Sequence, residues 1–249
     1  MPSRSKRAGA VVVALALLIG GCRGQGTAPP SPSPSLLPPA PAAPPNTIRN
    51  FVTPLYPEGV PYDEARSFGV GAVKELLSLI DEPSMVDSRS NVVVTIGMIG
   101  GATAEAALRK VVEQGTGKQS QAQYLLRLDA EMSLGYAANV ATTPDTLNYL
   151  IAGLQSGVWD SRVLWERPEG GNPFLRLRER TIMALGLSGK PEAKTAMQNL
   201  VPGGGRGGRG GRGASPPLTS SEEAIVNEAI RANDYIATHS LSQYFKDYR

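Results

Sequence analysis

The chain has one cysteine and one histidine in 249 residues, and these scarcities exclude much chemistry. A single thiol can form no disulfide within the chain. With one Cys, one His and no Gly-x-Ser-x-Gly, neither a nucleophilic triad nor a His/Cys metal site can be assembled. No cofactor and no metal are therefore expected, and His239 reads as an ordinary near-surface residue. Gly69-Val70-Gly71 is no dinucleotide fingerprint, because no strand precedes it and no third glycine follows. Aromatic residues are few, at 6%. Long apolar runs are missing too: the run from Ala8 to Ile19 is shorter than the roughly 20 residues a spanning helix needs. The net charge is only +3, from 25 basic and 22 acidic residues. Three of the basic residues, Arg4, Lys6 and Arg7, stand in the first seven positions, and without them the charges balance. The sequence pI near 9.0 is thus no argument for nucleic acid, and none is expected as a partner.

What is present begins with residues 1–21: a basic start, the apolar run, and then Ile19-Gly20-Gly21 before Cys22. This is the anatomy of a secretory signal. Its tail resembles the lipobox of bacterial lipoproteins. The resemblance implies cleavage before Cys22, a thioether-linked diacylglyceryl group on its sulfur, an acyl chain on its new amino terminus, and a partner in the membrane itself. More than one acyl chain gives stable anchoring. Arg23, rather than Asp, follows the cysteine. By lipoprotein sorting this favours a cell-envelope location at the periplasmic face of an outer membrane, if the cell is Gram-negative. Residues 22–46 are then the lipidated cysteine and a tether with nine prolines and almost nothing to bury. At about 3.1 Å per residue, an extended tether of this kind reaches on the order of 70 Å.

From residue 47 the pattern becomes helical and repeats itself. Align Gly97 with Gly186: Val93, Val94 and Ile96 then match Ile182, Met183 and Leu185. Downstream, Ala104, Ala107, Leu108, Val111 and Val112 match Ala193, Ala196, Met197, Leu200 and Val201. Those five positions make one apolar stripe of a helix. Each unit reads as a helix, a Gly-containing turn and a second helix, with Pro191 opening one second helix. A third copy carries Met132, Leu134 and Gly135, followed by Leu147, Leu150, Ile151 and Leu154. A fragment of a fourth begins at Phe68-Gly69 and continues through Ala72, Val73, Leu76, Leu77 and Ile80. A last helix follows a capping box at Ser220 to Glu223, with Ile225, Ala229, Ala232 and Ile236 inward. The SLSQYF tail is expected to fold back on it.

The copies ALGLSGKPEAKTAMQNL and TIGMIGGATAEAALRKV resemble the short bacterial form of the HEAT repeat, over roughly Asp63 to Thr238. The resemblance implies an all-α fold, a short right-handed α-solenoid with one concave face, across the domain at 47–249. A plain four-helix bundle is the alternative. It also implies that second helices line the concave side, where extended partners bind. Lys74, Glu75, Arg109, Lys110, Asn148, Lys194 and Gln198 fall there.

Two insertions interrupt the repeats. Residues 155–172 hold both tryptophans, Trp159 and Trp165, which either anchor a partner or plug the gap between units. Residues 202–217 are an Arg-Gly segment with Arg206, Arg209 and Arg212, read as a disordered loop at 203–213. The first expectation for function is a membrane-anchored scaffold, not an enzyme, that holds an envelope protein or peptide through Trp159, Trp165, Arg109 and Lys194. The alternatives are a small-molecule-binding or lyase-like HEAT protein, with Asp129, Glu131 and Glu179 as acid/base candidates, and a structural accessory of an envelope complex. The oligomeric state is left open.

Overall fold

The computed structural model describes residues 47–201 and 218–248. The signal, Cys22, the tether and the Arg-Gly segment lie outside the described residues. What is described is mostly α-helical, in agreement with the all-α expectation. The N-terminal elements are α1 (Ile48–Val52), α2 (Tyr62–Ser67) and α3 (Val73–Ile80). Three helix pairs follow: α4 (Arg89–Ile99) with α5 (Ala102–Glu113), α6 (Gln121–Val140) with α7 (Asp145–Ala152), and α9 (Phe174–Ser188) with α10 (Pro191–Gln198). The 155–172 insertion holds α8 (Ser156–Arg162). The chain ends in α11 (Ser220–Thr238) and α12 (Leu241–Asp247).

Local chemistry sets the helix ends. Gly100 and Gly101, at φ 73° and 94°, make the reversal between α4 and α5 in a region that side-chain-bearing residues avoid. Ser120 and Gln123 form a capping box on α6. The box on α11 is Thr219 with Glu222, one residue earlier than the sequence suggests. Pro191 stands in the first turn of α10, where its missing N–H costs nothing.

The helices lie in two layers, each in chain order. α4 packs on α6, α6 on α9 and α9 on α11. In the other layer α3 meets α5, α5 meets α7 through Arg109 and Thr146, and α7 meets α10. Most positions matched between the copies share their burial; Val111 and Val112 are buried where Leu200 and Val201 are half-buried. Val93 and Ile182, Ile96 and Leu185, Ala104 and Ala193, and Leu108 and Met197 are buried, while Val94 and Met183 are both half-buried.

The matched glycines are not in turns. Gly97, Gly135 and Gly186 lie inside α4, α6 and α9, where each lets its helix touch the next. A Cβ at Gly97 would strike the carbonyl oxygen of Ser133, and one at Gly135 would strike that of Ala184. At Gly186 it would stand 2.9 Å from the carbonyl oxygen of Ala229. Ser133 and Ala184 each precede the next glycine by two residues, so the contact repeats in register along the layer. The same step from Ala229 leads to Arg231, which is exposed and paired with Glu228 at the end of the layer. Gly69 does not belong to the series: it turns the chain before α3 at φ 69°, with nothing within 4 Å of a Cβ.

Two features depart from a plain helical repeat. β1 (Thr116–Lys118) and β2 (Leu164–Glu166) pair in parallel, with Gly117 opposite Trp165. And α12 returns past α11 to α2, where Phe245 stacks on Tyr62 at 5.4 Å and lies 5.8 Å from Tyr136 of α6.

Candidate functional site

The two tryptophans expected as partner anchors point inward. Trp159 is 0% exposed and Trp165 1%. The Trp159 indole N–H donates to the Gly153 carbonyl at 2.6 Å, its ring meets Tyr149 edge-on, and the Arg162 guanidinium lies 5.2 Å from its centre. The Trp165 N–H donates to the Val112 carbonyl at 2.8 Å, with Tyr124 edge-on and Arg127 5.2 Å from the ring. Arg127 in turn donates to the Val111 carbonyl and to Gln119 Oε1. A buried indole needs a partner for its N–H, and here both find main-chain carbonyls of neighbouring helices. Both side chains plug the gap between repeat units, which corrects their assignment as surface contacts.

Arg109 and Lys194 lie on second-layer helices, as expected, but both side chains are engaged within the protein. Arg109 donates to Thr146 Oγ1 at 2.9 Å and sits 4.8 Å from the Tyr149 ring centre. Thr146 donates to Glu105 across the same seam. Lys194 bridges to Asp234 of α11 at 2.7 and 2.9 Å. The outward row on this layer consists instead of Lys74, Glu75, Lys110, Asn148 and Gln198, all exposed.

The three carboxylates considered as an acid/base set do not converge. Asp129 accepts from Ser90 of α4 at 2.6 Å, and burial raises its pKa. Glu131 faces the opposite neighbour, with Oε1 2.6 Å from Thr181 Oγ1 of α9. Burial pushes Glu131 up to about 7. Glu179 pairs with Arg176 on the surface of α9 at 2.8 Å. Among the described residues no group of three or more His, Cys, Asp or Glu could hold a metal ion, and no helix is long and apolar enough to cross a membrane.

A recess the sequence did not suggest lies beside β2. It is a cleft of about 460 Å³, walled by Asp160, Leu164, Trp165, Glu166, Asn172 and Pro173 among others. The end of α8, the outer side of β2 and the approach to α9 make its walls. Asn172 braces one wall by donating to Asp160 Oδ1 at 3.0 Å and accepting from the Phe174 N–H at 2.7 Å. Two signals in the sequence marked the place: both tryptophans, and the Gly170-Gly171 pair in the loop after β2. The strands themselves, three residues each, carry no periodicity to read. In comparisons with known protein families, curated proteins and solved structures, nothing matches this chain.

Proposed function

We propose that the protein is an interaction scaffold, held at a membrane by lipid on Cys22 and built as a short right-handed HEAT-like solenoid that presents its second helices to an envelope protein or peptide. The observation that carries this reading is the second layer. α3, α5, α7 and α10 follow one another in chain order and set out an exposed polar row from Lys74 to Gln198. A row spread over four helices suits an extended partner more than a small molecule. The tether at 22–46 would let that row reach beyond the lipid surface, and the signal at 1–21 would deliver it to the envelope.

The test has two parts. Cys22→Ser should move the protein from the membrane to the soluble fraction without changing its melting temperature. A photo-cross-linker at Lys110, Asn148 or Gln198 should then capture one envelope protein in intact cells, whereas the same group at Arg231, on α11, should not. Retention of Cys22→Ser in the detergent phase removes the anchor. Equal adducts from Arg231 and from the second layer remove the scaffold face.

A further inference from the structure

The junction of α11 and α12 bends where its own sequence favours a straight helix. We propose that α12 is exchanged between two copies of this chain: Ser240 relaxes into helix, α11 and α12 become one straight helix, and each copy lays its α12 on the α2 of the other. The exchange needs neither the lipid anchor nor the second-layer row, so it stands or falls apart from the function proposed above.

The first argument is that little in the sequence ends the helix at Thr238. From Ser220 to Asp247 there is no proline and no glycine. By contrast, α4 gives way to α5 at Gly100 and Gly101, and α9 ends at Gly189 in the left-handed region. Helical hydrogen bonding runs up to the break and resumes after it: the His239 N–H donates to the Tyr235 carbonyl at 2.9 Å, and the Tyr244 N–H to the Ser240 carbonyl at 3.0 Å. Ser240 makes the break, at φ 132° and ψ 162°, a region that is essentially glycine's. Its hydroxyl accepts from the Gln243 N–H at 3.1 Å and caps α12, which offsets part of that strain and keeps the bent form competitive.

The second argument is direction. α11 turns Val226, Ala229, Ala232 and Ile236 into the core, and α12 turns Leu241 and Phe245 onto the protein. On a straight helix, at 3.6 residues per turn, Leu241 lies about 140° around from Ile236 and Phe245 about 180°. A straightened α12 therefore points its apolar side away from its own stack, where only another molecule can cover it.

The third argument is the seat. Phe245 stacks on Tyr62 at 5.4 Å, and Asp63 accepts from Ser242 at 2.9 Å and pairs with Lys246 at 3.0 Å. Ser242 and Asp63 are 179 residues apart in the chain, so nothing local decides whose α2 is used. Tyr244 and Tyr248 meet Tyr235 of α11, and that contact too is offered by a second copy whose own α12 has left. Exchange thus keeps every contact of α12 and relieves a strained backbone in each chain. A short strained hinge beside an unchanged seat invites domain swapping. The loss of free motion on association opposes it, so the dimer grows with concentration.

The experiment uses full chains carrying Cys22→Ser and one new cysteine each: Glu64→Cys on α2, or Ser242→Cys on α12. Both residues border one recess between these helices. The two forms are mixed at high concentration, warmed, cooled and treated with a short bis-maleimide. The mixture should give a two-chain band, and either form alone much less. A chain with both cysteines should cross-link within itself when dilute, which shows that the linker spans the recess. Ser240→Gly, which suits the bend, should lower the two-chain yield about tenfold. Ser240→Ala, which removes the cap and favours helix, should raise it. Absence of the two-chain band from the mixture overturns the proposal. So does a band whose yield is the same with Ser, Gly or Ala at position 240, because the copies then meet without straightening the hinge.

Discussion

The Thr181 hydroxyl has one proton and two acceptors in reach: Glu131 Oε1 at 2.6 Å and the Leu177 carbonyl at 2.9 Å. It can satisfy both contacts only if Glu131 brings a proton of its own and donates to Thr181, which then donates to Leu177. Burial gives the same answer, since it raises the Glu131 pKa to about 7, against the lowering effects of Thr181, Arg162 and Arg109 and with some help from Glu113. A neutral carboxyl costs far less to bury than a carboxylate. The consequence for stability has a definite sign. Below pH 4.5, the ordinary value, Glu131 is protonated whether the chain is folded or not, and its contribution is whole. As the pH rises from 4.5 toward 7, only the unfolded chain gives up the proton, and stability falls. Over that interval the loss is on the order of 3 kcal/mol, and above it the loss is complete. Glu131→Gln keeps a donor to Thr181 in its side-chain amide and has no proton to lose. Urea unfolding should therefore show the variant more stable than wild type at pH 8 by on the order of 1–3 kcal/mol, with a flatter profile from pH 5 to 7. An unchanged slope in the variant would place the titration elsewhere.

At the scale of elements, the stripes of α5 and α10 were readable because each of these helices buries one face, and a one-sided helix writes its period of 3.6 into the sequence. α6 is different. From Ala130 to Ala138 every residue is buried, since α4 and α9 cover it on opposite sides and α5 covers a third. Such a helix has no polar face to set its phase, and so the sequence grouped Glu131 with Asp129 and Glu179 as an acid/base candidate without showing that it lies in the core. The tryptophans escaped for a related reason: composition marks an aromatic insert, but only three-dimensional neighbours such as the Val112 carbonyl decide that it faces inward. The repeated glycines were visible by self-alignment, yet their job was not, because a glycine in a turn and one under a neighbouring backbone look alike in one dimension. Their job can be measured. Gly135→Ala sets a methyl against the Ala184 main chain, and Gly157→Ala, in α8, meets nothing within 4 Å. Helix propensity favours alanine at both sites by about 1 kcal/mol. Gly157→Ala should then melt at or slightly above wild type, while Gly135→Ala should lose about 1–3 kcal/mol to overpacking. Equal melting temperatures for the two variants would mean that α6 and α9 can move apart freely.

For the molecule as a whole, the question is whether a stack of units behaves as a row or as a closed body. In a row each unit touches only its neighbours, and the ends fray independently. Here α12 ties the last unit to the first. Leu241 is buried, Phe245 stacks on Tyr62 and lies tilted against Tyr136, and Asp63 of α2 accepts from Ser242 at 2.9 Å and pairs with Lys246 at 3.0 Å. The connection is held in a costly shape. Ser240, the only non-glycine residue with positive φ among those described, stands at 132°, with its hydroxyl accepting from the Gln243 N–H to cap α12. A backbone in that region persists only where the surrounding contacts over-determine it. The exposed Asp63 ion pair contributes little, at most about 1 kcal/mol, so the aromatic stack must do most of the holding. Phe245→Ala removes that stack and, apart from the contact with Tyr136 of α6, changes nothing in the helices of the two layers. Hydrogen exchange should then quicken in α12 and, at the far end of the chain, in α2, while the central helices α6 and α9 keep their protection. If α2 exchanges as slowly in the variant as in wild type, the two ends are held separately and the protein behaves as a row after all.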